Sequence, residues 1–414
     1  MKKRILFFGA LLWSSALMGV EVLNSDAMKL NIGGKLQTLG TIQFVEDDDR
    51  NAMRLYLFNK QARINVGGSV GETKFFTEIA FGAEETSKPQ YGTSKNPLNT
   101  NLSMKDFYFD TPAWDGRVRV GQFKPALNRE SLLRSEQTLF AKRSVQNMGF
   151  EWGRDVGAAF YRQSGTMEYT LGVFTGGGAN VPERYIPEEL GTPMIAFKLG
   201  VNNGLDEDIY TPRSAMDVAT DRVRSAVYAS GFYIKDSKIG HNTVLGVKYS
   251  ERSILLNDKY NTDQGENASL VQFGVEGALL KPLPNARLFL EGEMNLAYYK
   301  SDTGEAGIGG VIGKIGYHTN TVNLGLRISQ LIPRGFSASL ADDESITEIT
   351  PSLAHQVNKS TKLIFDAPIV LNTILKKESG TGTYEFTTQA NNTSSGTTQR
   401  GSSIYLRMMA QFVF

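Results

Sequence analysis

The chain alternates apolar and polar residues at every second position over most of its length. Its last segment, "IYLRMMAQFVF", places one apolar set on a single face: Ile404, Leu406, Met408, Ala410, Phe412 and Phe414. The segments "TVNLGLRIS" and "RLFLEGEMNLAYY" repeat this spacing and carry charged residues on the second face. A helix would need apolar residues three and four positions apart, whereas a period of two belongs to strands. The pattern therefore predicts β-strands with one apolar and one polar face.

Seventeen runs of this kind can be traced along the chain. They lie near 30–44, 55–69, 73–83, 101–110, 117–123, 154–163, 167–175, 193–201, 224–234, 242–250, 268–278, 286–300, 306–317, 321–332, 344–357, 361–374 and 402–414. Single-chain bacterial barrels have an even number of strands. We therefore predict 16 strands, with 18 as the alternative. The assignment is weakest at 193–234, which contains a polar insertion at 202–222, and at 375–401, where "TYEFTTQ" could pair.

The first residues indicate export from the cytoplasm. The basic residues Lys2, Lys3 and Arg4 precede the apolar run "ILFFGALLW", and small residues follow at 14–19. This order predicts a signal peptide over residues 1–19, cleaved around 16–20. Loss of the three basic residues changes the formal charge from +1 to −2, which gives no indication of nucleic-acid binding. The chain has no cysteine, which excludes disulfides, thiolate metal sites and a cysteine nucleophile.

Alternation alone fits either a soluble sandwich or a membrane barrel, and three further features favour the barrel. The strands reach about ten residues, the length that a tilted membrane strand needs. Tight connections such as "TPAWDG" and "QSGT" alternate with long ones at 84–100, 124–153 and 251–267. Aromatic residues gather near strand ends, as expected of interfacial girdles. Since a sheet in lipid must close on itself, we predict one antiparallel transmembrane β-barrel over 20–414, in the outer membrane of a Gram-negative bacterium.

The third outward-facing loop, 124–153, follows those at 45–54 and 84–100 and differs from a disordered surface loop. It reads "KPALNRESLLRSEQTLFAKRSVQNMGFEWG", and Asn128 is placed to cap a short helix. Its apolar residues Leu132, Leu133, Leu139 and Phe140 form a stripe that requires a packing partner. The inner wall of the barrel is the predicted partner, and a lid over the rim is the alternative. Folded inward, the loop would present its bases to passing solute, namely Lys124, Arg129, Arg134, Lys142 and Arg143.

One block of the chain resembles a known family. The block contains the strand end Gly121–Pro125, the segment "FAKRS" at 140–144 and the strand start "GRDVG" at 153–157. Over roughly 117–162 it is similar to the phosphate-selective porins O and P of Gram-negative outer membranes. The resemblance implies a 16-stranded barrel, usually trimeric, with a basic lumen and the third loop folded inside. At the positions that match the family, the resemblance implies that Lys124, Lys142, Arg143 and Arg154 are candidate residues for anion binding.

The charges predicted to face the lumen lean weakly towards positive. The inward bases are Lys35, Arg63, Lys74, Arg117, Arg119, Lys248, Arg287, Lys314, Arg327, Lys362 and Arg407, and the inward acids are Glu78, Asp106, Asp155, Glu168, Glu276, Glu291, Glu293 and Asp366. A low-dielectric wall focuses such an excess, which favours anions. Alternatively, many of these charges pair between neighbouring strands and only stiffen the wall. Arg117 and Arg119 join the third-loop bases and Arg154 as candidate constriction residues.

These observations predict a water-filled passive channel for small hydrophilic solutes, preferring anions such as phosphate or polyphosphate. The alternatives are a general, carbohydrate or organic-acid porin and a structural or adhesive barrel. An outer-membrane hydrolase would need a nucleophile beside a positioned base, and none of the three histidines, His241, His318 and His355, lies in such a motif. We therefore expect no enzyme activity, cofactor or metal, and "EDDDR" at 46–50 is interpreted as a solvated loop tip rather than a cation site.

The predicted partners follow from the membrane location. They are small anions such as phosphate, outer-membrane lipid and lipopolysaccharide, two further copies of the chain in a homotrimer, and the barrel assembly machinery. The terminal Phe414 is the predicted assembly signal. Nucleic acid is not among the expected partners.

Overall fold

The computed structural model describes residues 19–25, 27–47, 50–81, 103–176, 193–214, 218, 221–238, 267–301, 304–334, 345–377, 384–386 and 398–414. These residues form one antiparallel sheet with two short helices and a 3₁₀ turn. The first eight strands in chain order are β1 (Gly19–Asn24), β2 (Met28–Asp47), β3 (Arg50–Val70), β4 (Thr73–Ala80), β5 (Ser103–Ala113), β6 (Gly116–Phe123), β7 (Asp155–Ser164) and β8 (Met167–Phe174). They are followed by β9 (Met194–Asn202), β10 (Arg224–Lys238), β11 (Asn267–Leu283), β12 (Ala286–Ser301), β13 (Gly304–His318), β14 (Val322–Arg334), β15 (Ile346–Gln356), β16 (Thr361–Asp366), β17 (Ile369–Lys377), β18 (Tyr384–Phe386) and β19 (Thr398–Val413).

The sheet closes into a ring of 16 strands. Each strand from β2 to β15 pairs with its neighbours in the chain, and β19 pairs with β2 to complete the ring. Strands β16 and β17 occupy one position, because both pair with β15 on one side and with β19 on the other. The remaining two strands are additions to the ring: β1 pairs with β2, and β18 pairs with β17. The predicted closed barrel and its 16 strands are confirmed.

The extra run among the seventeen traced in the sequence is 242–250. It lies outside the described residues, and β10 pairs directly with β11. The range 193–234 supplies the barrel strands β9 and β10. Within "TYEFTTQ", the described residues 384–386 form the short strand β18, which pairs with β17, as the sequence suggested.

The barrel exposes apolar side chains on its outer face and buries polar side chains on its inner face, which is the reverse of a soluble protein. On β14, Leu324 and Ile328 are about half exposed, whereas Arg327 and Ser329 are buried. On β12, Leu290, Met294 and Leu296 are exposed, whereas Glu291, Glu293 and Asn295 are buried. An outward apolar band suits lipid, and inward polar residues suit a lumen. The period of two read from the sequence thus corresponds to an outer and an inner surface.

The carboxy-terminus takes part in closing the barrel. The backbone N–H of Phe414 donates to the carbonyl of Gly34 at 3.0 Å, and its carbonyl accepts from the Gly34 N–H at 2.9 Å. The Phe414 ring lies over Gly34, since a Cβ built there would be 2.6 Å from Cζ of that ring. A glycine is therefore required opposite the last aromatic residue.

The connections at the two ends of the barrel differ. One end, here called the short-turn end, carries tight turns such as 71–72, 114–115 and 165–166. The single long connection there is 203–223, between β9 and β10. The third loop arises from the opposite end. In bacterial barrels short turns face the periplasm and long loops face outward. Within the described ranges, no helix is both long and apolar enough to cross a membrane.

Candidate functional site

The third loop folds into the lumen, as predicted, and reaches across to the far wall. It contains the helix α1 (Arg129–Leu132), a 3₁₀ turn (Ser135–Gln137) and the helix α2 (Val145–Phe150). The N-terminus of α2 is capped by Ser144, whose hydroxyl accepts from the Asn147 N–H at 3.1 Å. Asn128 lies at the N-cap of α1 but makes no capping hydrogen bond through its side chain. Because the loop lies inside the lumen, the alternative of a lid over the rim is wrong.

The apolar stripe of the loop docks into notches in the wall. Leu139 and Phe140 lie against Gly325 of β14, where a Cβ would come within 2.5 Å of Leu139 Cδ2. In the same way, the ring of Phe150 occupies the space above Gly310 of β13. Since a buried aliphatic or aromatic side chain contributes about 1.5–3 kcal/mol, these contacts fix the position of the loop. The glycines are what allow the close approach.

Lysine side chains of the wall bind both the Glu136 carboxylate and backbone carbonyls of the loop. Lys35 of β2 donates to Glu136 at 2.8 Å, and Lys362 of β16 donates to the carbonyls of Glu136 and Thr138 at 2.6 and 3.0 Å. Burial raises the pKa of Glu136, but the positive charges of Lys35 and Arg134 outweigh it and lower that pKa to about 2. Glu136 thus remains ionised at neutral pH and holds the turn to the wall.

The second half of the loop is held by wall carboxylates. Asp366 of β16 accepts from the Ala141 N–H at 2.7 Å, and Glu348 of β15 accepts from the Val145 N–H at 2.8 Å. The same two acids bind Arg407 and Arg327 of the wall, respectively. The wall carboxylates therefore serve two purposes, since each joins a neighbouring strand and the loop.

The insertion between β9 and β10 enters the lumen from the short-turn end. Its side chains Leu205, Ile209, Tyr210 and Val218 are buried in a cluster that also includes Phe123 and Trp152. Asn202 turns the chain inward, because its side-chain oxygen accepts from the N–H groups of Leu205 and Asp206 at 2.9 and 3.1 Å. The side of the lumen bounded by β6–β12 is consequently filled with packed side chains.

The loop and the insertion meet at Arg129. Its guanidinium donates to both carboxylate oxygens of Asp206, at 2.6 and 2.8 Å, and to the carbonyl of Arg213 at 2.6 Å. A further bond at 3.1 Å reaches Glu291 of β12. Only 1% of the Arg129 residue is exposed. The sequence analysis placed Arg129 among the residues presented to solute; the structure instead buries it as the clamp between two segments.

Of the two other predicted constriction residues, Arg119 is buried and Arg117 is half-buried. Arg119 donates to Asp110 at 2.9 Å, and its guanidinium carbon lies 4.4 Å from the ring centroids of Tyr108 and Tyr210. Arg117 donates to Asp110 at 2.7 Å near the short-turn end. Asp110 thus binds both guanidinium groups, and two aromatic rings cover that of Arg119. Arg119 therefore supports the wall rather than facing solute.

The remaining predicted bases keep part of their surface exposed. Residues Lys124, Arg134, Lys142, Arg143 and Arg154 are all half-buried; we call these five the basic cluster. Glu151 links two members, since its Oε1 lies 3.5 Å from both Lys124 Nζ and Arg143 NH1. Arg154 donates to Asp106 at 2.7 Å and lies 3.6 Å from Glu78. The structure therefore brings together most, but not all, of the bases that the sequence singled out.

Lys124 has an unusual electrostatic environment within the basic cluster. It donates to the carbonyl of Ser131 and pairs with Glu151. Burial, and after it the positive charge of Arg143, lowers the pKa of the Lys124 ammonium well below its ordinary value. Lys124 therefore loses its positive charge at a lower pH than an exposed lysine does, whereas the neighbouring arginines stay charged.

These contacts support both interpretations of the lumen charge, namely an excess of positive charge and pairing between neighbouring strands. Pairing between wall residues is extensive, as in Arg63–Glu78, Lys198–Glu276 and Arg407–Asp366. Lys248 lies outside the described residues. On the loop and at Arg154, the five bases of the basic cluster outnumber the nearby half-buried acids Asp106, Glu136 and Glu151.

Comparison with known proteins agrees with this architecture. Residues 32–203 match the family model of the phosphate-selective porins O and P, which confirms the resemblance seen in the sequence. An anion-selective porin from Comamonas acidovorans has a similar structure, with a TM-score of 0.59 and 13% identity over 94% of this chain and 100% of that one. The chain is an outer-membrane porin.

Other solved structures share the fold of this porin. OmpT, an outer membrane protein of Vibrio cholerae, matches with a TM-score of 0.54 and 10% identity over 95% of this chain and 100% of that one. Its trimer form matches with a TM-score of 0.52 and 9% identity, covering 94% and 100%. No curated protein matches the sequence. With the porin family match and the porin fold, the chain is a channel rather than an enzyme.

Sequence reasoning missed the partners supplied by the insertion. Asp206 and Tyr210 were treated as part of an awkward polar stretch, although apolar residues recur there at Leu205, Ile209 and Val218. That recurrence was the available signal. His318 ends β13, and its imidazole is buried in the lumen.

Proposed function

We propose that this porin is a passive diffusion channel that prefers small anions. The observation that carries the proposal is the basic cluster on the inward-folded loop, where positive side chains retain exposure in a lumen lined by low-dielectric walls. Partial replacement of hydration by Arg and Lys, weak enough to release the ion, would then favour anions. The fold shared with an anion-selective porin from Comamonas acidovorans is consistent with this preference.

Phosphate is the favoured solute within this class. The family that matches residues 32–203 is described as phosphate-selective. The planar guanidinium groups of Arg134, Arg143 and Arg154 suit oxyanions with several acceptors.

Planar-bilayer recordings of the purified porin test the proposal. In a potassium chloride gradient the reversal potential should have the sign that chloride permeation gives, and low millimolar phosphate should reduce the chloride current. A cation-selective reversal potential would refute the anion preference. Anion selectivity without any effect of phosphate would identify a general anion porin, and the absence of all conductance would favour a structural barrel.

We further propose that the porin is a homotrimer in the outer membrane, surrounded by lipid and lipopolysaccharide and inserted by the barrel assembly machinery through Phe414. A trimer form of the Vibrio cholerae protein OmpT has a similar fold. The mass of the detergent-solubilised protein, measured by light scattering with the detergent subtracted, tests the trimer. A protein mass of about one chain would refute it.

A further inference from the structure

A cavity lies between the third loop and the inner faces of β12–β14, on the side nearer the short turns. Its accessible volume is about 40 Å³, more than the roughly 10–15 Å³ that a single water molecule needs. The loop supplies one wall, the barrel supplies the other, and Ser214 of the insertion reaches its edge. We call this space the sub-loop cavity.

The lining of the sub-loop cavity combines apolar surface with an excess of positive charge. Its apolar side chains are Leu133, Leu139, Phe140 and Phe289. Its charged side chains are four bases, Lys142, Arg143, Lys314 and Arg327, and two acids, Glu130 and Glu291. Inorganic ions gain little from an apolar wall, whereas an organic anion gains from both features.

The bases of the cavity fall into two groups. Lys314 lies 2.5 Å from Glu291 and 3.3 Å from Glu130, and Arg327 pairs with Glu348 and lies 3.5 Å from Glu130. The two acids of the lining are thus engaged by the wall bases. Lys142 and Arg143 belong to the half-buried basic cluster and supply the net positive charge at the loop side.

His318 places a buried acceptor in the same cavity. The residue is 2% exposed, and its Nδ1 donates to Asn323 Oδ1 at 3.3 Å, because an amide oxygen can only accept. Its Nε2 is buried and has no hydrogen-bond partner among the described residues. The ring lies over Gly316, where a Cβ would collide with Nε2. A neutral imidazole that donates through Nδ1 leaves Nε2 as an acceptor.

We infer that the sub-loop cavity is a binding subsite for a small organic anion that carries an apolar body and a hydroxyl group. The carboxylate would lie towards Lys142 and Arg143, the apolar body between Phe140 and Phe289, and the hydroxyl would donate to His318 Nε2. The unsatisfied nitrogen carries the inference, since buried polar atoms are ordinarily hydrogen-bonded. This inference rests on the proposed anion preference and narrows the solute class.

Block of the channel by matched aromatic acids tests the subsite. With the full-length porin in planar bilayers, we expect 4-hydroxybenzoate to reduce the chloride current at a concentration about fivefold to tenfold lower than benzoate, the effect of one additional hydrogen bond. The methyl ether 4-methoxybenzoate has the same oxygen but no donor, so it should behave like benzoate. Equal block by all three acids would overturn the inference without any mutation.

The substitution His318→Phe removes the acceptor and keeps an aromatic ring beside Phe289. It should abolish the difference between 4-hydroxybenzoate and benzoate, whereas His355→Phe, at an exposed histidine of β15, should preserve it. A difference that survives His318→Phe would overturn the assignment of Nε2. The reversal potential in potassium chloride is read in parallel. A cation-selective wild type refutes the proposed function, whereas anion selectivity with no preference for the hydroxyl refutes only the subsite.

Discussion

Arg129 and Asp206 form a two-bond ion pair, at 2.6 and 2.8 Å, between segments that enter the lumen from opposite ends of the barrel. Both side chains are 1% exposed. One belongs to the loop from the long-loop end and the other to the insertion from the short-turn end. The pair therefore holds together two inserted segments, of which only the first was expected to fold inward.

Breaking this pair should loosen both segments. Replacing Arg129 by Met leaves the Asp206 carboxylate buried without its partner, a change that costs about 3–5 kcal/mol. We expect a lower midpoint of thermal unfolding and larger fluctuations of the open-channel current. Circular dichroism in detergent and single-channel recording measure the two effects.

A double substitution separates the pair from its individual charges. Arg129→Met with Asp206→Leu removes both buried charges, so it should recover part of the stability lost in Arg129→Met. Additive losses in the double variant would show that the ion pair is not the coupling element.

Charge reversal at the tip of the loop should change selectivity. Lys142→Glu together with Arg143→Glu replaces two half-buried positive charges by negative ones, and we expect the reversal potential in a potassium chloride gradient to shift towards that of potassium. The control Lys281→Glu makes the same change at an exposed site of β11 beside a tight turn, and it should leave the potential unchanged. An unaltered potential in the double variant would exclude the loop tip from selectivity.

Anion preference should weaken at alkaline pH. The pKa of Lys124 is lowered by burial and by Arg143, so its ammonium loses the proton at a lower pH than an exposed lysine does. As the pH rises, positive charge disappears from the basic cluster. The reversal potential, followed from pH 7 to pH 10, should move towards lower anion selectivity.

The variant Lys124→Arg provides the control for this titration, because a guanidinium stays protonated over the same range. It should keep the selectivity of the porin nearly constant up to pH 10. A parallel decline in the wild type and in this variant would assign the effect to another group.

Removing the insertion should widen the channel. Replacing residues 204–222 by a short turn withdraws Leu205, Ile209 and Tyr210 from the lumen side formed by β6–β12. We expect a single-channel conductance higher than that of the wild type, while β9 and β10 remain paired through the register that joins Val201 to Val227. A conductance equal to that of the wild type would mean that the insertion does not limit the current.

Closure of the ring should depend on Gly34. A valine at this position would collide with the Phe414 ring and with the carbonyl of Arg63, which lie 2.6 and 2.7 Å from a Cβ built there. We expect Gly34→Val to reduce the yield of heat-modifiable, folded barrel in the outer membrane. Gly313→Val is the matched control, since a Cβ built at Gly313 meets no atom within 4 Å.

The sequence contained most of the information about the barrel and less about its interior. The period of two was sufficient to predict the barrel strands, because the alternation within each strand shows which face points outward. On β14, for example, Leu324 lies outside and Arg327 inside. The stripe of Leu139 and Phe140 also predicted that the loop must pack against something. Both are local patterns, and local patterns are readable from sequence.

The partners of the inward charges could not be read in this way. Arg129 and Arg143 belong to one loop and have the same charge, yet the first is buried against Asp206 and the second remains half-exposed. Their burial differs because Arg129 contacts Asp206, which lies 77 positions further along the chain. Pairing of this kind depends on how the loop and the insertion cross the lumen, which no periodicity encodes.

The glycine notches under Leu139 and Phe150 imply that this constriction cannot be transplanted by exchanging the loop alone. In a recipient barrel with larger residues at the positions of Gly310 and Gly325, their side chains would collide with Phe150 and Leu139. The loop could then not bind the wall in the same position, even if residues 124–153 were copied without change. Engineering a new pore from this porin therefore means moving β13 and β14 along with the loop as one matched unit.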